Sequence, residues 1–254
     1  MKNTIISKLA EIESREGFEI LYACESGSRA WGIASMDSDY DVRFVYLRKE
    51  EQYLHLKALR DVCEAELNEL YDINGWDLKK FLALLLKSNP AIFEWANSPI
   101  IYKTSAKWGK IAEILPDFLD SKKLLFHYYG MAKSHFMKYL LGDEVKYKKY
   151  FYVLRPLLAC RWLLAKSRAV PMDFGELCAA FLPTYMWDVA DELLAIKQNS
   201  AESQSGVRIK KLDEFLVSEF EQIKLEIKKH PKGKKPDESV LNELFVEFVG
   251  AREF

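Results

Sequence analysis

Residues 24–47 read CESGSRAWGIASMDSDYDVRFVYL. A Gly27-Ser28 pair and a small loop lead to Asp37, Asp39 and Asp41, which run straight into a β-branched and aromatic stretch. That stretch predicts a strand from about Asp39 to Leu47. Side chains two apart on a strand share a face, so Asp39, Asp41 and Arg43 point one way while Tyr40, Val42 and Phe44 point into packing. Neighbouring carboxylates resist joint ionisation unless a cation sits between them. Hard oxygen ligands at this spacing suit Mg²⁺, which binds one or two carboxylates together with substrate phosphate oxygens. Gly27 lets backbone come close to a phosphate and Ser28 adds a hydroxyl. Both open a short helical piece, SRAWG, whose free N–H groups favour an anion.

Working outward, residues 4–16 place Ile5, Leu9 and Ile12 at helical spacing before Gly17, and FEILYACE follows as a strand. ELNELYDINGW predicts a third strand, and DLKKFLALLLK a helix with Asp77 at its N-cap. After Pro99 strand signals become scarce. Helical segments are predicted at about 105–115, 121–141, 145–168, 173–181, 185–200 and 206–229. In the last, Leu212, Phe215, Leu216, Phe220, Ile223 and Ile227 form one stripe. HPKGKKPDE, 230–238, is a basic linker before a final helix, SVLNELFVEFV. The fold class expected is mixed α/β (α+β): an α/β domain over 1–103, followed by a helical domain over 104–254.

The bulk numbers fit that division. The chain has 254 residues, 49% hydrophobic and 30% charged, with a formal charge of −1, the composition of a soluble globular protein. No apolar run is long enough for a signal peptide or a membrane span, so no membrane partner is expected. Cys24, Cys63, Cys160 and Cys178 are scattered without a C-x-x-C pair, which predicts reduced thiols in a cytoplasm. From Lys122 to Arg168, eleven Lys or Arg stand against Asp143 and Glu144, a local balance of +9 that leaves −10 for the rest. A metal-binding pole and an anion-binding pole are expected.

Strand, Gly-Ser, about ten residues, then Asp-x-Asp on the next strand resembles the DNA polymerase beta-like nucleotidyltransferase superfamily. GSRAWGIASMDSDYDVRFVY is similar to one group within it, the predicted nucleotidyltransferases associated with RNA repair pathways. Trp76 to Tyr102 resembles the same group, so the likeness covers roughly the first 100 residues well and the helical half weakly. It implies a small mixed β-sheet of polymerase beta palm type. It also implies that Gly27 and Ser28 hold the β and γ phosphates of a nucleoside triphosphate, ATP among them, and that Asp39 and Asp41 bind two Mg²⁺ or Mn²⁺ ions. A third carboxylate on a later strand belongs to the pattern. Asp72 in ELYDING fits it, with Asp77 as the alternative. The implied reaction is in-line attack of an acceptor hydroxyl on the α-phosphate with release of pyrophosphate.

Other residues stay open at this level. Arg29 and Arg43 are phosphate contacts, or Arg43 is a salt-bridge partner that keeps the aspartates ionised. Lys149, Tyr152 and Arg155 belong to a Lys/Tyr-rich run that either meets the triphosphate, stacks on an RNA acceptor, or forms a solvated helix face. Pro156 marks a start or bend in that segment. His127 and His135 lack the spacing of a metal pair and read as core or surface histidines. Trp95 reads as packing, while Trp31 either shields the cleft or stacks on a base. An RNA 3′ end is the favoured acceptor, a protein or small-molecule hydroxyl the alternative, and a regulatory binding module of the same fold the competing class. Neither the preferred nucleotide nor the oligomeric state is legible.

Overall fold

The computed structural model describes residues 1–199 and 205–250. Residues 200–204 and 251–254, including the predicted end of the 185–200 helix, lie outside the described residues. The chain begins α1 (Lys2–Glu16), β1 (Glu19–Glu25), α2 (Gly27–Ala30), β2 (Tyr40–Leu47), α3 (Glu50–Tyr53), β3 (Val62–Leu67), β4 (Tyr71–Asp77), α4 (Leu78–Leu86), α5 (Pro90–Ala96), β5 (Ile101–Thr104) and α6 (Ala106–Ile114). It continues α7 (Ser121–Tyr139), β6 (Glu144–Lys146), α8 (Lys148–Lys166), α9 (Phe174–Phe181), α10 (Trp187–Asn199), β7 (Ser205–Val207), α11 (Lys210–Lys229) and α12 (Glu238–Gly250).

Two compact units emerge. The sheet unit comprises 1–27, 39–118 and the chain from 235; the helical unit comprises 28–38 and 119–234. These spatial units differ from the linear division at 103/104 in three places. α6 joins the sheet unit because Trp108 stacks on Tyr22, with ring centroids 4.0 Å apart. α12 joins it by packing on α4, with Leu241 and Phe248 buried, Phe245 edge-on to Tyr53 and Glu247 paired with Lys110. The loop 28–38 joins the helices.

In the sheet unit, five strands are ordered β3-β4-β2-β1-β5. β2 runs parallel to β4, and the other pairings are antiparallel, so the sheet is mixed. β2 shows the alternation read from its sequence, with Val42 and Phe44 buried and Asp41 and Arg43 half-exposed. The hidden face meets Ile5, Leu9 and Ile12 of α1, the three positions set at helical spacing. α1 stops at Gly17, which adopts φ +69° and donates its N–H to the Glu13 carbonyl. Asp77 caps α4, as its position before LKKFL predicts.

ELNELYDINGW is not one strand. It splits into the end of β3 and the start of β4, because Asn68 Oδ1 accepts the N–H groups of Leu70 and Tyr71 and closes a hairpin. β5, α5 and the three-residue strands β6 and β7 carry too few residues to show a period and went unpredicted. The 145–168 segment therefore opens with β6, and Pro156 lies inside a continuous α8.

In the helical unit α7 and α8 pack together, with α9 and α11 against α8. The predicted stripe of α11 is buried throughout. Among the described residues no helix is long and apolar enough to cross a membrane. All four cysteines are buried and free. Burial pushes the Cys24 and Cys178 thiols up to about 12, so they are inert packing groups.

Gly75 of β4 lies under the Phe44 ring, and a β-carbon there would collide with it. Gly109 of α6 has nothing within 4 Å of the same position. Gly75→Ala is therefore expected to lower unfolding free energy by about 1–3 kcal/mol. Gly109→Ala should leave it unchanged or raise it by up to ~1 kcal/mol. Urea denaturation followed by circular dichroism separates the two.

Candidate active site

In the sheet unit the site is built where β1 ends and β2 begins. Gly27 has φ +58°, a left-handed conformation, and a β-carbon on it would overlap the Asp41 carboxylate. Only glycine fits there. The Ser26 N–H donates to the Asp41 carbonyl (2.8 Å), so the turn is tied to the strand that carries the aspartates.

Parallel pairing sets Asp41 directly beside Asp72. The Arg43 guanidinium links them: Nη2 donates to Asp41 Oδ1 (2.8 Å) and to Asp72 Oδ2 (2.7 Å), while Nη1 donates to the Asp72 carbonyl (2.7 Å). Asn74 Nδ2 donates to the other Asp72 oxygen (3.1 Å). Burial raises the Asp41 pKa above the usual carboxylate value; Arg43 opposes the shift, and Asp39 and Asp72 add to it. Arg43 is thus the salt-bridge partner of the aspartates. Asp39 stands just before β2, half-exposed.

Asp77 is elsewhere. It lies five residues further along β4, a distance of about 16 Å at strand rise. It is 4% exposed, accepts the Lys79 N–H and the Tyr53 hydroxyl, and pairs with Arg48. The structure brings Asp72, not Asp77, to Asp41.

Whether these residues suit a cation is answered by Arg43. Oxygens of two carboxylates already converge on a single cationic nitrogen, the demand a hard divalent ion would meet. Among the described residues no group of three or more His, Cys, Asp or Glu is drawn together for a metal; Asp41 and Asp72 are brought together on the Arg43 guanidinium.

Sequence reasoning missed Glu25. It is fully buried at the end of β1, accepts the Asp41 N–H (2.8 Å) and receives the Tyr102 hydroxyl from β5. Ser98 Oγ donates to its carbonyl (2.6 Å). The available signal was a lone acid ending an apolar strand, directly before the Gly-Ser turn.

The helical unit holds the remaining expected residues. Loop 28–38 is braced within itself: Ile33 N–H to the Ser28 carbonyl (3.0 Å), Arg29 Nη2 to the Ser38 carbonyl (2.6 Å), and Ser35 N–H to Ser38 Oγ (3.0 Å). Its Trp31 carbonyl accepts the Phe174 N–H (2.9 Å) at the start of α9. Arg155 is 2% exposed; it reaches the Pro171 and Met172 carbonyls and lies 4.5 Å over the Trp31 ring. Arg155 therefore fastens the loop from behind, while Lys149 and Tyr152 are half-exposed.

Tyr152 meets Trp31 and His135 edge-on, with centroids 5.9 and 5.6 Å away, and Lys149 lies over the Tyr139 and Tyr152 rings at 4.3 and 4.9 Å. Trp31 Nε1 and His135 Nδ1 are buried without a hydrogen-bond partner, a deficit of about 1–3 kcal/mol for each such group. Burial, then Lys149 and Lys138, lower the His135 pKa and favour the neutral ring.

A family model described as the RNA repair pathway DNA polymerase beta family matches residues 1–247. The chain belongs to that family. It is 41% identical over 253 residues to the uncharacterized protein YcgL of Bacillus subtilis (strain 168), covering 98% of this chain and 96% of the relative. A nucleotidyltransferase-like protein from Exiguobacterium sibiricum 255-15 is 11% identical, with a TM-score of 0.29 over 98% of this chain and 81% of the other.

Within this member of the RNA repair pathway polymerase beta family, the Glu25–Tyr102 contact offers a direct test. Tyr102→Phe removes a donor from a buried carboxylate and is expected to lower stability by about 1–3 kcal/mol. Chemical denaturation of the purified protein measures it. An unchanged midpoint would mean that the Glu25 carboxylate is satisfied without the phenol.

Proposed function

We propose that the protein is a Mg²⁺-dependent nucleotidyltransferase that moves a nucleoside monophosphate from a triphosphate, ATP among the candidates, to an acceptor hydroxyl. One observation carries this: the backbone of Gly27 lies against Asp41, where any β-carbon would intrude, while Asp41 and Asp72 converge on a cation position. A glycine turn against paired carboxylates suits a triphosphate and its metal better than it suits a packing role.

Asp39, Asp41 and Asp72 would hold two Mg²⁺, or Mn²⁺ in their place. Bound there, the ions would neutralise the phosphates and favour ionisation of the acceptor hydroxyl. The open backbone at Gly27 and the Ser28 hydroxyl would cradle the β and γ phosphates. Arg43 binds Asp41 and Asp72 together, and Glu25 fixes the backbone from which Asp41 projects. In the reaction the acceptor oxygen bonds to the α-phosphorus, the bond to the bridging oxygen breaks, and pyrophosphate leaves. The hydroxyl proton would pass to a carboxylate, with Asp72 the residue proposed for it.

An RNA 3′ end is the acceptor favoured, on the strength of the family description. A cytoplasmic setting agrees with four buried free thiols.

Incubation with each α-labelled nucleoside triphosphate, Mg²⁺ and total RNA or lysate tests the proposal. Label is expected in the RNA fraction, and the Asp39→Ala/Asp41→Ala protein should fall to background. Label in the protein or small-molecule fraction would transfer the role of acceptor to that class. No label with any nucleotide, or no difference between the two proteins, sinks the enzyme and leaves the regulatory module.

A further inference from the structure

Part of the positive region 122–168 is spent within the helical unit. Arg161 binds Glu219 and Glu226 of α11, Lys122 donates to the His230 carbonyl, and Lys123 faces Asp120. Arg155 is buried behind Trp31. Lys138 and Lys149 are set apart by their surroundings: both lie over tyrosine rings. Burial and the like charges of Lys148, Lys146 and Lys138 lower the Lys149 pKa; Tyr139 alone opposes the shift. The lysine pair is left short of negative charge.

Two nearby rings, those of Trp31 and His135, each carry a nitrogen without a hydrogen-bond partner. Trp31 Nε1 can only donate and has no acceptor; His135 Nδ1 is equally unmatched, and both rings pack edge-on against Tyr152. Trp31, His135, Tyr139, Lys149 and Tyr152 are half-exposed and Lys138 is exposed. The ligand that answers both deficits carries repeated negative charge, hydrogen-bond acceptors and flat apolar faces. A chain of phosphodiesters with unpaired bases has all three. A triphosphate has one base for several rings, and an acidic peptide has none.

We propose that this cluster of α7, α8 and the Trp31 loop is a binding site for single-stranded RNA. Bases stack on Tyr139 and Tyr152, phosphates meet Lys138 and Lys149, and Trp31 Nε1 turns its N–H to an acceptor on the strand. The site rests on the transferase reading only in naming this strand the acceptor. Lys149 and Tyr152 then serve RNA rather than the triphosphate.

Anisotropy of a short fluorescein-labelled single-stranded RNA, titrated with full-length protein in EDTA without nucleotide, tests this apart from catalysis. Wild-type protein is expected to bind, more weakly as salt rises. Lys138→Gln and Lys149→Gln should each lower the salt slope by about one. Tyr139→Ala should weaken binding on the order of tenfold. Trp31→Phe, which keeps the ring and removes the donor, should weaken binding with the slope unchanged. Lys138 and Tyr139 close the exposed end of α7, so their variants keep the test open if a Trp31 variant misfolds. Asp39→Ala/Asp41→Ala should bind as wild type does.

No RNA binding in EDTA overturns the site, as do wild-type affinity and slope in all four variants. Displacement of the RNA by nucleoside triphosphate alone at comparable concentration also overturns it, in favour of a triphosphate site. Binding that maps to the cluster in a protein that transfers no label upholds the site and defeats the transferase alone.

Discussion

In the sheet unit one guanidinium is held between two carboxylates. Parallel pairing of β2 with β4 forces Asp41 and Asp72 into neighbouring positions on one face. Two like charges about 4–6 Å apart repel by roughly 3–4 kcal/mol at an effective dielectric constant near 20. Without Arg43 that repulsion would fall on the central pairing of the sheet, or be relieved by protonation. Arg43 draws both carboxylates to one nitrogen. The same register brings an oxygen of each carboxylate to one cationic nitrogen.

A second constraint concerns the chain around the glycine turn. Gly27 belongs to the sheet unit and Ser28 to the helical unit, and the chain returns at Asp39. Residues that flank the turn therefore answer to two different cores. Glu25 and Asp41 secure the upstream side through the sheet. Trp31, gripped by Arg155 and by the N–H at the start of α9, secures the downstream side. An eleven-residue loop of this composition would otherwise lose a large conformational entropy on ordering. Gly32, at φ +74°, brings the loop backbone against the Asp173 carboxylate.

What the sequence revealed was whatever a local pattern can carry. The alternation of Asp41 and Arg43 with Val42 and Phe44, the α11 stripe, and the cap at Asp77 are each set by neighbours a few residues away. Asp72 was legible as a carboxylate on a strand and preferred to Asp77, which read as a cap; the β2–β4 register adds that Asp72 stands beside Asp41. Charge counting along the chain fared worse. The +9 segment could not show that Arg161 would meet Glu219 and Glu226, 58 and 65 residues onward. Nor could it show that α12 would return to the sheet unit. The missed hairpin at Asn68 turned on one side-chain amide, and Glu25 looked like the end of a strand until Tyr102 arrived from 77 residues downstream.

Glu25 and Arg43 complete one electrostatic scheme. A buried acid is costly unless its oxygens are bonded, and Glu25 meets that need with the backbone of Asp41 and the hydroxyl of Tyr102. Neither partner carries a formal positive charge, so Glu25 does not compete for Arg43. Arg43 remains available to Asp41 and Asp72, and Asn74 orients the second oxygen of Asp72. Had Glu25 pointed to the face of Asp41 and Asp72, a further carboxylate would have crowded the pair. Bonded to the Asp41 N–H and the Tyr102 hydroxyl, it fixes the position of Asp41 through the main chain and leaves the Asp41 side chain to Arg43.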